Sequence, residues 1–177
     1  EGSGLIQNEL SRLRDAVQYV HDETVKGMNH GKDVHTLMRE IALPPKLEVG
    51  EGYGKVSWSV RAIWENYAGW FHHRSTTELY GVPGEAVHAD LVELAGGADA
   101  VAERARERLE AGDALETIHL AEVALSAAPR CVPALEAMIA AHEKLEAESE
   151  NFWLTQWLRK QLAELRSALD AARKKES

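Results

Sequence analysis

Cysteine occurs once, at Cys131, so an internal disulfide is excluded and the redox compartment stays open. No apolar run approaches the roughly 20 residues of a membrane-spanning helix, and no secretory signal opens the chain. The start, Glu1-Gly2-Ser3-Gly4, lacks an initiator Met and reads as a tag or cut-site remnant over 1–4. Basic residues are the minority, 20 Lys and Arg against 29 Asp and Glu, for a net charge of −9. That balance argues against a nucleic-acid partner, because such binding relies on cationic side chains displacing counterions. What is present, 177 residues of which 45% are hydrophobic and 28% charged, suffices for one domain with a real core or two small ones. A soluble, cytoplasmic or periplasmic module is expected, with the compartment left open.

A helical period runs through the chain. Ile6, Leu10, Leu13, Val17, Val20 and Val25 are mostly three or four apart, which stacks them on one helical face between Leu5 and about Met28. Gly31 can close that helix, and Asp33 favours the start of a short second one built on Val34, Leu37, Met38 and Ile41. Pro44-Pro45 stops it. After the glycine-rich connector 50–54, Val56, Val60, Ile63, Trp64, Tyr67, Trp70 and Phe71 mark a broad face of a third helix, with Trp58 pointing roughly away from it. His72 to Pro83 reads as loop, and Glu85 to Ala95 as a fourth helix ended by Gly96-Gly97. Beyond it, Ala105, Leu109, Gly112, Ala121, Ala124, Leu125 and Pro129 are spaced like the small and apolar positions of one tetratricopeptide repeat. Helices from about Val132 to Ala147 and from about Asn151 to Ala172 complete the chain. No stretch alternates long enough to predict a strand. The expected fold is all-α, a helical bundle with a tetratricopeptide-like hairpin.

Eight histidines and many carboxylates invite a metal reading, but their spacing does not bring ligands to one point. His21 and Asp22 are neighbours whose side chains should diverge on a helix, His30 and His35 flank a helix break, and His72-His73 are adjacent. No His-Glu-x-x-His or His-x-His-x-Asp-His occurs, so no metal site and no cofactor is expected in this chain. His142 shares an apolar face with Leu135 and reads as a half-buried histidine bonded to a neighbour. Cys131 has Arg130 beside it and a helix start, enough for modest activation, although a small structural thiol fits better. The glycines at 50, 52 and 54 lack the Gly-Lys-Ser/Thr helix start of a phosphate loop. No catalytic residue is assigned.

Tryptophan is more informative, with five Trp against two Phe. Trp153 and Trp157 form a stripe beside Leu154, Leu158, Leu162, Leu165 and Leu169, wider than one helix needs for one neighbour. It is either an ordinary core helix or partly a surface for a second subunit, where buried aromatic anchors are enriched. On the second reading Trp153, Trp157, Leu154, Leu158, Leu162 and Leu165 are the expected dimer interface.

Two runs carry a resemblance. Tyr19-Val-His-Asp-Glu-Thr-Val25 with Met28-Asn-His-Gly-Lys-Asp33 and Leu43-Pro44 resembles the helical segment that follows the catalytic domain of alkylsulfatases, enzymes of the metallo-β-lactamase fold. Gly52-Tyr-Gly-Lys-Val-Ser-Trp-Ser-Val-Arg-Ala-Ile63 with Tyr67-Ala-Gly-Trp-Phe71 is similar to their dimerisation-domain signature. Gly96-Gly97, the Gly112-Asp113 hairpin, Pro129 and Asn151-Phe-Trp-Leu-Thr155 also fit. The resemblance implies a helical segment over 5–49, linking to an absent catalytic domain, and a dimerisation domain over 50–177. It implies a homodimer whose parent is a zinc-dependent sulfuric ester hydrolase acting on alkyl sulfates. The parent's two zinc ions would sit on the upstream catalytic domain, so this chain alone is not expected to hydrolyse anything. One departure stands out: Trp58 occupies a position after Val-Ser where the family often has His, which puts the alkyl sulfate substrate in question. Tyr53, Trp58 and Arg61 are then candidates for lining the parent's cleft, or merely for packing the loop on its own domain. Two other functions compete: a free-standing tetratricopeptide-like protein-binding scaffold, and a self-sufficient enzyme using the scattered histidines.

Overall fold

The structure, a computed structural model, describes residues 2–72 and 74–176, with side chains through Lys174. Among these residues there are eight α-helices and three short 3-10 turns, with no strand. The chain gathers into two compact units, Glu1–Leu79 and Tyr80–Ser177.

The first unit contains α1 (Gly2–Asn29), α2 (Val34–Glu40) and α3 (Val56–Ala68), with 3-10 turns at Pro45–Leu47 and Thr76–Leu79. Asp33 caps α2: its carboxylate accepts from the Thr36 backbone N–H at 3.1 Å and from the Thr36 hydroxyl at 2.7 Å. These bonds, with Arg74 2.9 Å away, hold the carboxyl down at about 2. Val20, Val34, Leu37, Val60 and Trp64 form the core. Val60 and Trp64 of α3 share it with α1 and α2, so α3 packs within the first unit. The face expected for the third helix is shorter than its apolar run. Gly69, at φ 69°, stops α3 after Ala68, so Trp70 and Phe71 lie beyond it, and Trp70 is 71% exposed.

The second unit contains α4 (His88–Leu94), α5 (Ala98–Glu110), α6 (Ala114–Ala127), α7 (Val132–Ala147) and α8 (Phe152–Glu176). The expected helix 85–95 is split: Gly84–Val87 is a 3-10 turn and only His88–Leu94 is α-helical. Gly112, at φ 99°, lets α5 turn directly into α6, and the Lys144 ammonium donates to its carbonyl at 2.9 Å. Small residues set how closely these helices approach. Ala105, Ala121, Ala124, Ala134 and Ala141 are fully buried, and Leu135, Ile139, Leu162 and Leu169 fill the contact of α7 with α8. Ion pairs of Glu136 with Arg173, Glu143 with Arg166 and Glu146 with Arg159 show that α7 and α8 run antiparallel.

Candidate functional site

The first turns of α8 present aromatic rings to water. Asn151 is buried and its side-chain oxygen accepts from the Leu154 N–H at 2.9 Å, which anchors the helix start. From there Phe152, Trp153 and Trp157 are 48%, 60% and 58% exposed. Phe152 and Trp153 meet edge to face, with ring centroids 5.6 Å apart, and the Lys160 ammonium lies 4.8 Å from the Trp157 ring centroid. The six residues expected at a dimer interface therefore separate. Trp153 and Trp157 face out and Leu154 is half-buried. Leu158 and Leu162 are buried inside the chain's own unit, and Leu165 packs against the same α7–α8 cluster. Leu158 and Leu162 are thus core residues, for a geometric reason: the five-residue step from Trp153 to Leu158, and from Trp157 to Leu162, turns about 140° round the helix, away from the exposed rings. Phe152 was missed by the sequence reading; its place beside Trp153, ahead of the apolar period, was the available signal.

The cleft candidates lie in the first unit, on the connector and α3. Glu51 reaches across the connector to accept from the Val56 backbone N–H at 2.6 Å, tying the loop to the helix start. Tyr53 is 73% exposed and Trp58 39%. Trp58 and Arg61, three residues apart, lie on one side of α3, and Arg61 is paired with Glu65 at 2.8 Å. Beside them a groove of about 230 Å³ opens between α1, the connector and α3, walled by Val17, Leu43, Val49, Val56 and Ile63.

Several of the described histidines take structural partners. His21 and Asp22 do not diverge: His21 Nδ1 lies 3.0 Å from the Asp22 carboxylate, while its Nε2 lies 2.8 Å from the Tyr67 hydroxyl, so the pair links α1 to α3. The histidine bond, with a second from Gln18, lowers the Asp22 carboxyl below its usual range. His30 Nδ1 is 2.6 Å from the Lys26 carbonyl. His142, more than half-buried at 7% exposure, has Nδ1 2.8 Å from the Met138 carbonyl. His72 stacks edge-on against Trp64, and His73 lies outside the described residues. Cys131 is buried and its Sγ lies 3.4 Å from Asp99, and burial pushes the thiol up, the opposite of nucleophile activation. Among the described residues no three His, Cys, Asp or Glu side chains gather where they could hold a metal ion. No described helix is long and apolar enough to cross a membrane.

Large aromatic rings in water on an all-helical module are a surface suited to association with another protein. The family model for alkyl sulfatase dimerisation matches residues 33–168, and the chain belongs to that family. It is 35% identical to a linear primary-alkylsulfatase of a Pseudomonas strain over 63% of this chain and 22% of that protein. It is 30% identical to another Pseudomonas linear primary-alkylsulfatase over 87% of this chain and 24% of that protein. A double mutant of the sec-alkyl sulfatase PisA1 superposes with a TM-score of 0.84 at 26% identity, over 92% of this chain and 26% of that one. The chain spans about a quarter of the length of the relatives it matches.

Proposed function

We propose that this chain pairs with a second copy of itself through the exposed aromatic start of α8, and so holds together two copies of a hydrolase of alkyl sulfate esters. The observation that carries this reading is the surface of Phe152, Trp153 and Trp157, which lies inside the matched dimerisation region and which the second unit leaves in water. Burying a large apolar side chain is worth ~1.5–3 kcal/mol, so three rings a side are a strong drive to associate. Ester cleavage belongs to a separate catalytic domain of the complete protein, and its two zinc ions would be bound there. Tyr53, Trp58 and Arg61 would face that domain's cleft, and Trp58 would favour an ester other than those taken by relatives with His at this place. The α5–α6 hairpin, closed on Ala105, Ala121 and Ala124, supports a tetratricopeptide-like description of the second unit.

Sedimentation velocity at micromolar concentration tests the pairing. A dimer is expected, and Trp153→Ala with Trp157→Ala should raise its dissociation constant at least a hundredfold without loss of helical circular dichroism. A monomeric parent chain, or a double variant that still pairs as tightly, would refute it. For the hydrolase, a His-x-His-x-Asp-His motif is expected in the upstream reading frame.

A further inference from the structure

Among the described residues one buried side-chain nitrogen has no hydrogen-bond partner, the indole Nε1 of Trp64. Trp64 is 8% exposed and sits in the core of the first unit. Folding strips such an N–H of water and gives it nothing back, so native proteins keep few of them. The indole also lines a cavity of about 400 Å³. Three stretches of chain meet there: Lys32 and Asp33 from the turn between α1 and α2, Trp64 from α3, and His72 and Arg74 from the segment after α3. The one carboxylate in this wall is already committed. Asp33 accepts twice from Thr36 and faces Arg74 at 2.9 Å. The donors are not used up. Arg74 brings one nitrogen to Asp33 and carries five N–H groups. Lys32 has three and places one on Glu40. The Trp64 N–H has no acceptor at all. His72 meets the indole edge-on, with ring centroids 5.1 Å apart, and one of its ring nitrogens can donate as well.

We propose that this cavity binds inorganic sulfate, with Arg74 and Lys32 balancing its charge and the Trp64 N–H donating to one of its oxygens. The inference rests on the proposed function for the source of the ligand, since cleavage of a sulfate ester releases sulfate. The anion itself is selected by the wall. Two cations stand against one carboxylate there, in a chain whose net charge is −9. A cationic or donor-rich ligand would leave the indole N–H unmatched and add to the surplus. An apolar ligand would leave the surplus as it is. An oxyanion answers it, because each oxygen accepts and the charge strengthens every bond it takes. Sulfate fits this wall better than phosphate does. Near neutral pH phosphate keeps a proton that must find an acceptor, and Asp33 is taken. All of these residues belong to the first unit, apart from the α8 aromatics proposed for pairing, so the two surfaces are tested separately. A single bound water would satisfy the N–H without involving Arg74, and it gives the experiment its opposite outcome.

Titration of the 177-residue chain with sodium sulfate tests this, near neutral pH and at an ionic strength held constant with sodium chloride. The five indole N–H resonances, assigned by triple-resonance spectra, are followed by proton–nitrogen NMR. Melting temperature is no substitute, because sulfate stabilises proteins generally by exclusion from their surface. The Trp64 signal should move downfield and saturate at one sulfate per chain. Arg74→Gln should weaken that binding about tenfold, and Lys32→Gln should weaken it less. The Arg74 side chain is 53% exposed, so helical circular dichroism should not change with it. Arg104→Gln, which removes a cation paired with Glu107 on α5, is the control and should be silent. Phosphate should bind more weakly than sulfate. A Trp64 signal that stays in place throughout the titration would overturn the inference and leave water as the partner of the N–H. So would a shift that survives Arg74→Gln unchanged, or one that phosphate or chloride reproduces equally, the mark of an adventitious ion only. Sedimentation of the same chain reads the pairing independently: loss of the dimer with sulfate binding intact would sink only the α8 surface, and absence of sulfate binding in a dimer would sink only this site.

Discussion

The two units solve the same problem with different side chains. The first closes on a few large ones: Leu37, Val60 and Trp64 meet Val20 and Val34, and a single glycine, Gly27, makes room for Leu37. The second closes on many small ones, with fully buried alanines in α5, α6 and α7 letting helices lie close, and its buried leucines on α7 and α8. The first design tolerates long connectors, because a large side chain reaches across them. The second needs short turns such as Gly112-Asp113, because alanine contacts exist only between backbones already brought together. The difference teaches that a surplus of apolar surface has distinct origins: an aliphatic stripe that outruns its cover in the first unit, and aromatic rings on the uncovered side of a helix whose other side is buried in the second.

Emptying the α7–α8 contact should hurt the second unit most, with the enlargement of a buried small residue close behind. Ala121→Leu puts a branched side chain where a fully buried methyl sits between α6 and its neighbours, and overpacking costs ~1–3 kcal/mol and occasionally more. Leu162→Ala in the same unit should cost ~2–5 kcal/mol, and chemical denaturation followed by helical ellipticity measures both. An Ala121→Leu variant as stable as the parent would break the contrast. Gly27→Ala sharpens it from the other side, since a methyl there would overlap the Leu37 side chain. A loss of ~1–3 kcal/mol is expected, relieved in part when Leu37→Val is added; no relief would mean that the helix, not the contact, is at fault.

The smallest effect is electrostatic and confined to the first unit. The Asp33 carboxyl is held at about 2 against its ordinary 3.8, chiefly by the bonds from Thr36. A depressed carboxyl stabilises the fold above its unfolded value, so that contribution is present near neutrality and is lost as pH falls from about 4 to about 2. Asp33→Ala should lower the melting temperature by a few degrees at neutral pH, with a smaller difference from the parent at pH 2. An equal difference at both pH values would show that the cap carries no charge effect.

Much of the fold was legible in the amino-acid order. Five helical segments lie close to where the apolar period and the Gly and Pro stops put them, and Ala105, Ala121 and Ala124 are buried as their spacing predicts. Helix ends were harder to read. The run Tyr67, Trp70, Phe71 continues the period of α3 past the residue, Gly69, whose backbone ends it. The chemistry of neighbours was harder still: His21 and Asp22 bond across adjacent positions because Tyr67 on another helix holds the imidazole in place.

From its order of residues alone, this protein is all-helical, acidic and a member of the alkyl sulfatase dimerisation family, because helical period, charge and motif are properties of neighbours along the chain. Which part of each stripe is covered was decided only by tertiary structure. Val20 is inside and Val17 outside on one face of α1, and on one face of α8 Leu158 is buried where Leu154, a turn before it, is only half-buried. Periodicity names the face a residue occupies, whereas burial depends on how far the neighbouring helix extends along it, and that length is set by contacts between distant segments.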